Sequence, residues 1–135
     1  MSLFNSTRAL RAALTGLAMA GSAQIAHADI KDYEFQIVDP VVKAGPDAII
    51  TVRLMNKLTG KAVPDAVIFA TRLDMAPDGM ESMTTKIAAT PSDVPGTYRF
   101  KALLSMAGGW QLTLGAKVQG ETGSVESKLP LKATK

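Results

Sequence analysis

At 135 residues the chain has room for one ordinary domain and not for a second with its own core. Apolar residues make up 47% and charged residues 20%, which excludes a disordered chain, collagen and a long coiled coil. After residue 28 the net charge falls from +3 to +1, with 13 basic side chains against 12 acidic, so there is no electrostatic footprint for nucleic acid; cysteine is absent, which excludes disulfides, thiolate zinc sites and CxxC redox chemistry.

Residues 1–28 read as an export signal. Arg8 and Arg11 precede the alanine-rich run Ala12 to Ala20, and Ala26-His27-Ala28 has the small-x-small form that a signal peptidase accepts. The apolar run is too short to span a bilayer, and Thr15, Gly16 and Ser22 interrupt it. Cleavage after Ala28 leaves 107 residues beginning at Asp29 in the periplasm, and it removes His27, the only histidine. Ser-His and Cys-His triads and imidazole metal sites are then closed to the mature chain.

From Asp29 onward the apolar pattern has a period of two and predicts seven strands: Tyr33 to Val38, Ala48 to Asn56, Ala66 to Met75, Thr84 to Thr90, Thr97 to Ser105, Trp110 to Val118 and Val125 to Ala133. Proline, glycine and aspartate turns separate them. About seven antiparallel strands in roughly one hundred residues, with turns every 8–12, predict an all-β immunoglobulin-like sandwich as residues 29–135. Alternation sets the inner faces: Tyr98, Phe100, Ala102, Leu104 and Met106 on the fifth strand, and Trp110, Leu112, Leu114, Ala116 and Val118 on the sixth. On the third strand Val67, Phe69, Leu73 and Met75 are expected inside, and on the fourth Met83, Thr85, Ile87 and Ala89. Met55 falls on an outer parity with Thr51 and Arg53. Gly96-Thr97-Tyr98 suggests a tyrosine corner, a packing device.

The methionines stand out. Met75, Met80 and Met83 bracket the turn Pro77-Asp78-Gly79, which should fold the third and fourth strands into a hairpin, and an up-and-down arrangement brings Met106 and Trp110 to the same end. A thioether is soft and uncharged; it ligates Cu(I) or Ag(I) without releasing a proton and is a poor ligand for zinc, calcium or magnesium. Methionine also fills irregular gaps at the ends of sandwiches, so core packing and metal ligation both fit the spacing. Asp74, Asp78 and Glu81 lack the spacing of an EF-hand and read as solvated turn carboxylates. Gly108-Gly109 precede no helix and form no phosphate loop, and no carboxylate pair is placed for acid–base catalysis, so no enzyme is expected.

Pro40 to Gly45, Val52-Arg53-Leu54, Gly60 to Ala66, Leu73-Asp74-Met75 with Met80 and Met83, Pro95-Gly96-Thr97-Tyr98, and Met106 to Leu112 occur in an order that resembles the YtkA-like/FixH-like domain family. The resemblance covers nearly all of the mature chain. It implies an immunoglobulin-like domain in an exported or membrane-tethered protein associated with copper handling, beside heavy-metal efflux pumps or near oxidase assembly. Its methionine-rich hairpin tip maps onto Met75, Met80 and Met83, and its Met-x-Gly-x-Trp-like segment onto Met106 and Trp110. FixH itself is membrane-anchored, whereas this chain loses its apolar segment on cleavage. Two function classes follow: a periplasmic protein that binds Cu(I) or Ag(I) through Met75, Met80, Met83 and Met106 and passes it to an efflux or oxidase-assembly partner, or a metal-free sandwich that docks as an accessory subunit of an envelope complex.

Processing is directly testable. Mass spectrometry of the exported protein is expected to find Asp29 at the N-terminus in the soluble periplasmic fraction; an intact N-terminus in the membrane fraction would be the contrary result.

Overall fold

The computed structural model describes residues 29–135, so the expected signal peptide, residues 1–28, lies outside the described residues, and His27 with it. The described chain is all β apart from two single turns of 3-10 helix, Ile30–Asp32 and Ala76–Asp78. Its strands are β1 (Tyr33–Ile37), β2 (Val41–Lys43), β3 (Gly45–Asn56), β4 (Lys61–Ala62), β5 (Val67–Met75), β6 (Met80–Thr85), β7 (Ile87–Thr90), β8 (Thr97–Leu104), β9 (Gly108–Lys117) and β10 (Val125–Thr134). They form two sheets. One has the order β1-β3-β8-β7 with β4 attached to β3, the other β2-β10-β9-β5-β6. This is the expected immunoglobulin-like sandwich. Among the described residues no helix is long and apolar enough to cross a membrane.

Ten strands replace the seven expected: the short strands β2 and β4 are added, and the predicted fourth strand is divided because the chain changes sheets within it. At Ala44 it passes from β2, an edge strand of the second sheet, into β3 of the first. The predicted fourth strand likewise divides at Lys86: β6 pairs with β5, whereas β7 pairs with β8 in the opposite sheet. A pattern of period two runs through such a crossing unbroken, since alternation records which side faces inward and not which sheet the strand joins. Pairing is antiparallel except between β2 and β10, which run parallel.

The core is built from the expected alternating residues. Ile50, Val52 and Leu54 on β3, Phe100, Ala102 and Leu104 on β8, and Trp110, Leu112, Leu114 and Ala116 on β9 are all buried. Tyr98 forms the tyrosine corner: its hydroxyl donates to the carbonyl of Val63 at 2.7 Å and accepts from the amide of Ala66 at 3.0 Å. Burial raises the Tyr98 pKa, with the backbone bond from Ala66 acting against it and the charge of Asp65 adding to it.

Part of β5 is reversed from expectation. Val67 and Phe69 are 60% and 54% exposed rather than inward, while Leu73 and Met75 are fully buried. The cause is a bulge against β9, where Ile68 pairs with Ala116 and Ala70 with the adjacent Gly115, which leaves Phe69 as the extra residue and inverts the parity before it. The Phe69 ring then lies on Gly115, where an added Cβ would meet its Cζ at 3.1 Å. Met83 and Met106, expected on inner faces, are 40% and 42% exposed, because Met83 falls where β6 departs from register with β5 and Met106 lies in the turn after β8 ends at Leu104. Ala89 is exposed although it carries the inward parity of its register partner Phe100.

The burial pattern separates three aromatic truncations that alternation alone would treat alike. Phe100→Ala and Trp110→Ala should each cost about 3–5 kcal/mol, and Phe69→Ala less than about 1 kcal/mol. Urea unfolding of the three variants measures this; a cost for Phe69→Ala equal to the others would contradict its outward placement.

Candidate metal centre

β5 ends in a tightly determined hairpin. Met75 precedes the 3-10 turn Ala76–Asp78, where Pro77 fixes the backbone, and Gly79 closes the turn in the left-handed region at φ 75° before β6 begins at Met80. The buried carboxylate of Asp74 accepts from the Ala76 amide at 2.9 Å and from Arg72 Nε at 2.8 Å. Arg72 Nη2 in turn donates to the carbonyl of Glu81 at 2.9 Å, which ties β5 to β6. Asp74 is thus a buried structural anion rather than the solvated turn carboxylate expected.

The tip rests on the turn that joins β8 to β9. Asp78 Oδ2 accepts from the Gly109 amide at 3.0 Å. Gly108 has φ +142°, and an added Cβ there would lie 2.5 Å from Asp78 Oδ2 and 2.9 Å from Met75 Cε. An added Cβ at Gly109 would meet Pro77 Cβ at 2.9 Å. The glycine pair is therefore the surface on which the hairpin tip is seated. Trp110, buried beneath, donates from Nε1 to the carbonyl of Met106 at 3.1 Å and so fixes the start of this turn.

Each methionine takes a definite place in this assembly. Met75 is fully buried and pairs across the hairpin with Met80, which is half-buried against the core. Met83 lies on β6, within a stretch where β6 departs from simple register with β5, and Met106 lies in the β8–β9 turn. The elements that carry all four meet at one end of the sandwich. Their exposure is graded from the interior at Met75 to the solvent at Met83 and Met106. Met55 is on β3, in register with Glu34 of β1 and Ala62 of β4.

Chemically, this end offers soft, uncharged sulfur from a rigid frame. Among the described residues no group of three or more His, Cys, Asp or Glu could hold a metal ion, so thioethers are the donors this end has to offer in number. Sequence reasoning missed Asp78 as the link between hairpin tip and turn. The signal was present in Gly108-Gly109, since two adjacent glycines beginning a strand indicate close approach by another backbone or side chain.

A model of the family described as YtkA-like matches residues 27–115. Among solved structures, the crystal structure of the Lin-41 filamin domain aligns with a TM-score of 0.44 at 18% identity, covering 80% of this chain and 95% of that one. The ZirS C-terminal domain aligns with a TM-score of 0.46 at 14% identity, covering 95% and 88%. No curated protein matches.

The seating of the tip yields a stability test. Gly108→Ala adds a methyl group at positive φ against Asp78 and Met75, so it should destabilise the fold by about 1–3 kcal/mol. Gly120→Ala, also at positive φ but with open space around it, provides the comparison that isolates the steric part. Equal costs for the two, read from thermal melts, would mean that the contact with the hairpin tip contributes nothing.

Proposed function

The chain belongs to the YtkA-like family, and on that premise we propose that it is an exported, periplasmic protein that binds Cu(I) or Ag(I) through Met75, Met80, Met83 and Met106 and buffers the metal or passes it to an efflux or oxidase-assembly partner. The observation that carries this reading is the seating of the Ala76–Asp78 turn on Gly108-Gly109, which draws two methionine-bearing segments, remote in sequence, to one end of the sandwich. The chain is read as a binding protein and not as a catalyst.

The four side chains divide the work by their exposure. Met83 and Met106 stand at the surface, where an incoming ion can exchange its previous ligands for their sulfurs. Met75 is fixed in the core beside Gly108, and Met80 is its register partner, so these two supply donors whose positions are set before the metal arrives. A preorganised inner pair with an accessible outer pair suits a cargo that must enter and leave. Thioethers carry no proton near neutral pH, so capture does not compete with protonation as it would at imidazole or thiolate.

The purified mature protein should bind Cu(I) or Ag(I) near 1:1, ignore Zn(II), and retain binding as the pH falls to about 5. Met75→Leu/Met83→Leu replaces two sulfurs by groups of similar volume and should cost less than about 1.5 kcal/mol per site in stability. Competition against a Cu(I) chelator should show copper lost from this double variant and retained by the wild type and by Met55→Leu. Equal retention by the wild type and the double variant would remove the site.

A further inference from the structure

The two exposed methionines of the hairpin end flank a direct tie between the sheets. Thr85, the last residue of β6, donates from its hydroxyl to the carbonyl of Leu103 on β8 at 2.6 Å. Met83 precedes Thr85 by two residues and Met106 follows Leu103 by three, so one cross-sheet bond holds both methionine-bearing segments in place. Their side chains stay in solvent. Met83 is 40% and Met106 42% exposed, and Leu103 is exposed with them.

The remaining methionines of residues 29–135 are shielded to differing degrees. Met75 is fully buried, with its Cε only 2.9 Å from where a Cβ on Gly108 would stand, so the glycine backbone and the hairpin tip close over it. Met80 packs against the core, and Met55 is half-buried on β3. This gradient matters for oxidation. A peroxide converts a thioether to a sulfoxide at a rate that follows access to the sulfur. The sulfur lone pair attacks one peroxide oxygen, an S–O bond forms as the O–O bond breaks, the sulfur loses two electrons, and the second oxygen leaves as water. The product presents a hard oxygen in place of a soft sulfur, which is a poor match for Cu(I) or Ag(I). At Met83 and Met106 the new polar group remains in water, whereas at Met75 it would be buried without a partner.

We propose that Met83 and Met106 are a reversible peroxide-modification site, whose conversion to sulfoxides switches off soft-metal capture while the fold and the buried Met75 stay intact. The switch rests on the metal-binding reading above; the order in which the methionines oxidise does not. Metal and oxidant compete for the same electrons. A sulfur lone pair engaged by a bound ion cannot attack a peroxide, so a loaded site is protected and an empty one is sensitive. The fold survives because the modified side chains already lie outside the core, and reduction of the sulfoxides returns the original ligands.

The test is limited treatment of the purified mature chain with hydrogen peroxide, followed by peptide mass spectrometry, thermal melts and titration with Ag(I), chosen because Cu(I) itself reacts with peroxide. Met83 and Met106 should gain oxygen before Met55 and Met80, and Met75 last. The chain oxidised at the outer pair should keep its cooperative melt and bind Ag(I) at least about tenfold more weakly. Treatment with both methionine sulfoxide reductases should restore that affinity, and prior loading with Ag(I) should protect Met83 and Met106 from peroxide. Met83→Leu/Met106→Leu should leave a chain whose melt and residual Ag(I) affinity the same peroxide dose does not change. Conversion of Met55, Met80 or Met75 ahead of the outer pair, or unfolding once the outer pair is oxidised, would overturn the proposal. Ag(I) affinity unchanged by oxidation would overturn the switch alone, whereas an unoxidised chain that takes up no Ag(I) would overturn the metal reading and the switch with it.

Discussion

The contact between the Ala76–Asp78 turn and the Gly108-Gly109 backbone is the constraint on which the methionine end depends. A hairpin tip is ordinarily the freest part of a sheet, because its last residues are paired on one side alone. Here the tip has a second attachment. Asp78 holds the Gly109 amide, Met75 lies against Gly108, and Trp110 anchors the turn from below through the carbonyl of Met106. Backbone glycine on one face and a proline-stiffened turn on the other allow an approach that any side chain at residue 108 would prevent.

Asp74 gives the same end its electrostatic logic. A carboxylate buried to this degree is tolerated when its oxygens are occupied, and both are: one by the Ala76 amide and one by Arg72. Arg72 then spends a second nitrogen on the carbonyl of Glu81, so a single ion pair shapes the turn and joins the two strands of the hairpin. Because the carboxylate is committed to this task, it is not free to serve as a hard metal ligand. The four methionines add uncharged thioether sulfur to the same end.

The sequence was most legible where strands are regular and least legible where they bend. On β3, β8 and β9 the alternation of apolar and polar residues places Ile50, Phe100, Leu112 and their neighbours correctly, because these strands are long and covered on their inner face. On β5 the bulge at Phe69 inverts the parity within one strand, and no local pattern marks it beyond two apolar residues that fit either face. The switch at Lys86 is hidden for a related reason: alternation continues through it, although the hydrogen-bonding partners change. The methionines show the boundary plainly. Spacing assigns Met75, Met80 and Met83 to one hairpin, but their burial depends on how far β6 departs from register with β5 after Met80, which is a tertiary property. Asp78 was legible only through its partner, the glycine pair.

The bulge and the sheet switch act together. If β6 had continued alongside β5 for its whole length, Val67 to Thr71 would be paired and the seam closed, and β8 would lack its neighbour at Ile87 to Thr90. By crossing at Lys86 the chain gives each sheet half a strand: β6 completes the hairpin at the methionine end, and β7 completes the first sheet at the other. The cost is an open edge on β5, and the bulge at Phe69 is placed within it. Bulges increase local twist and turn an edge away from simple edge-to-edge pairing, so the exposed stretch is protected from indiscriminate association while its inner side remains accessible.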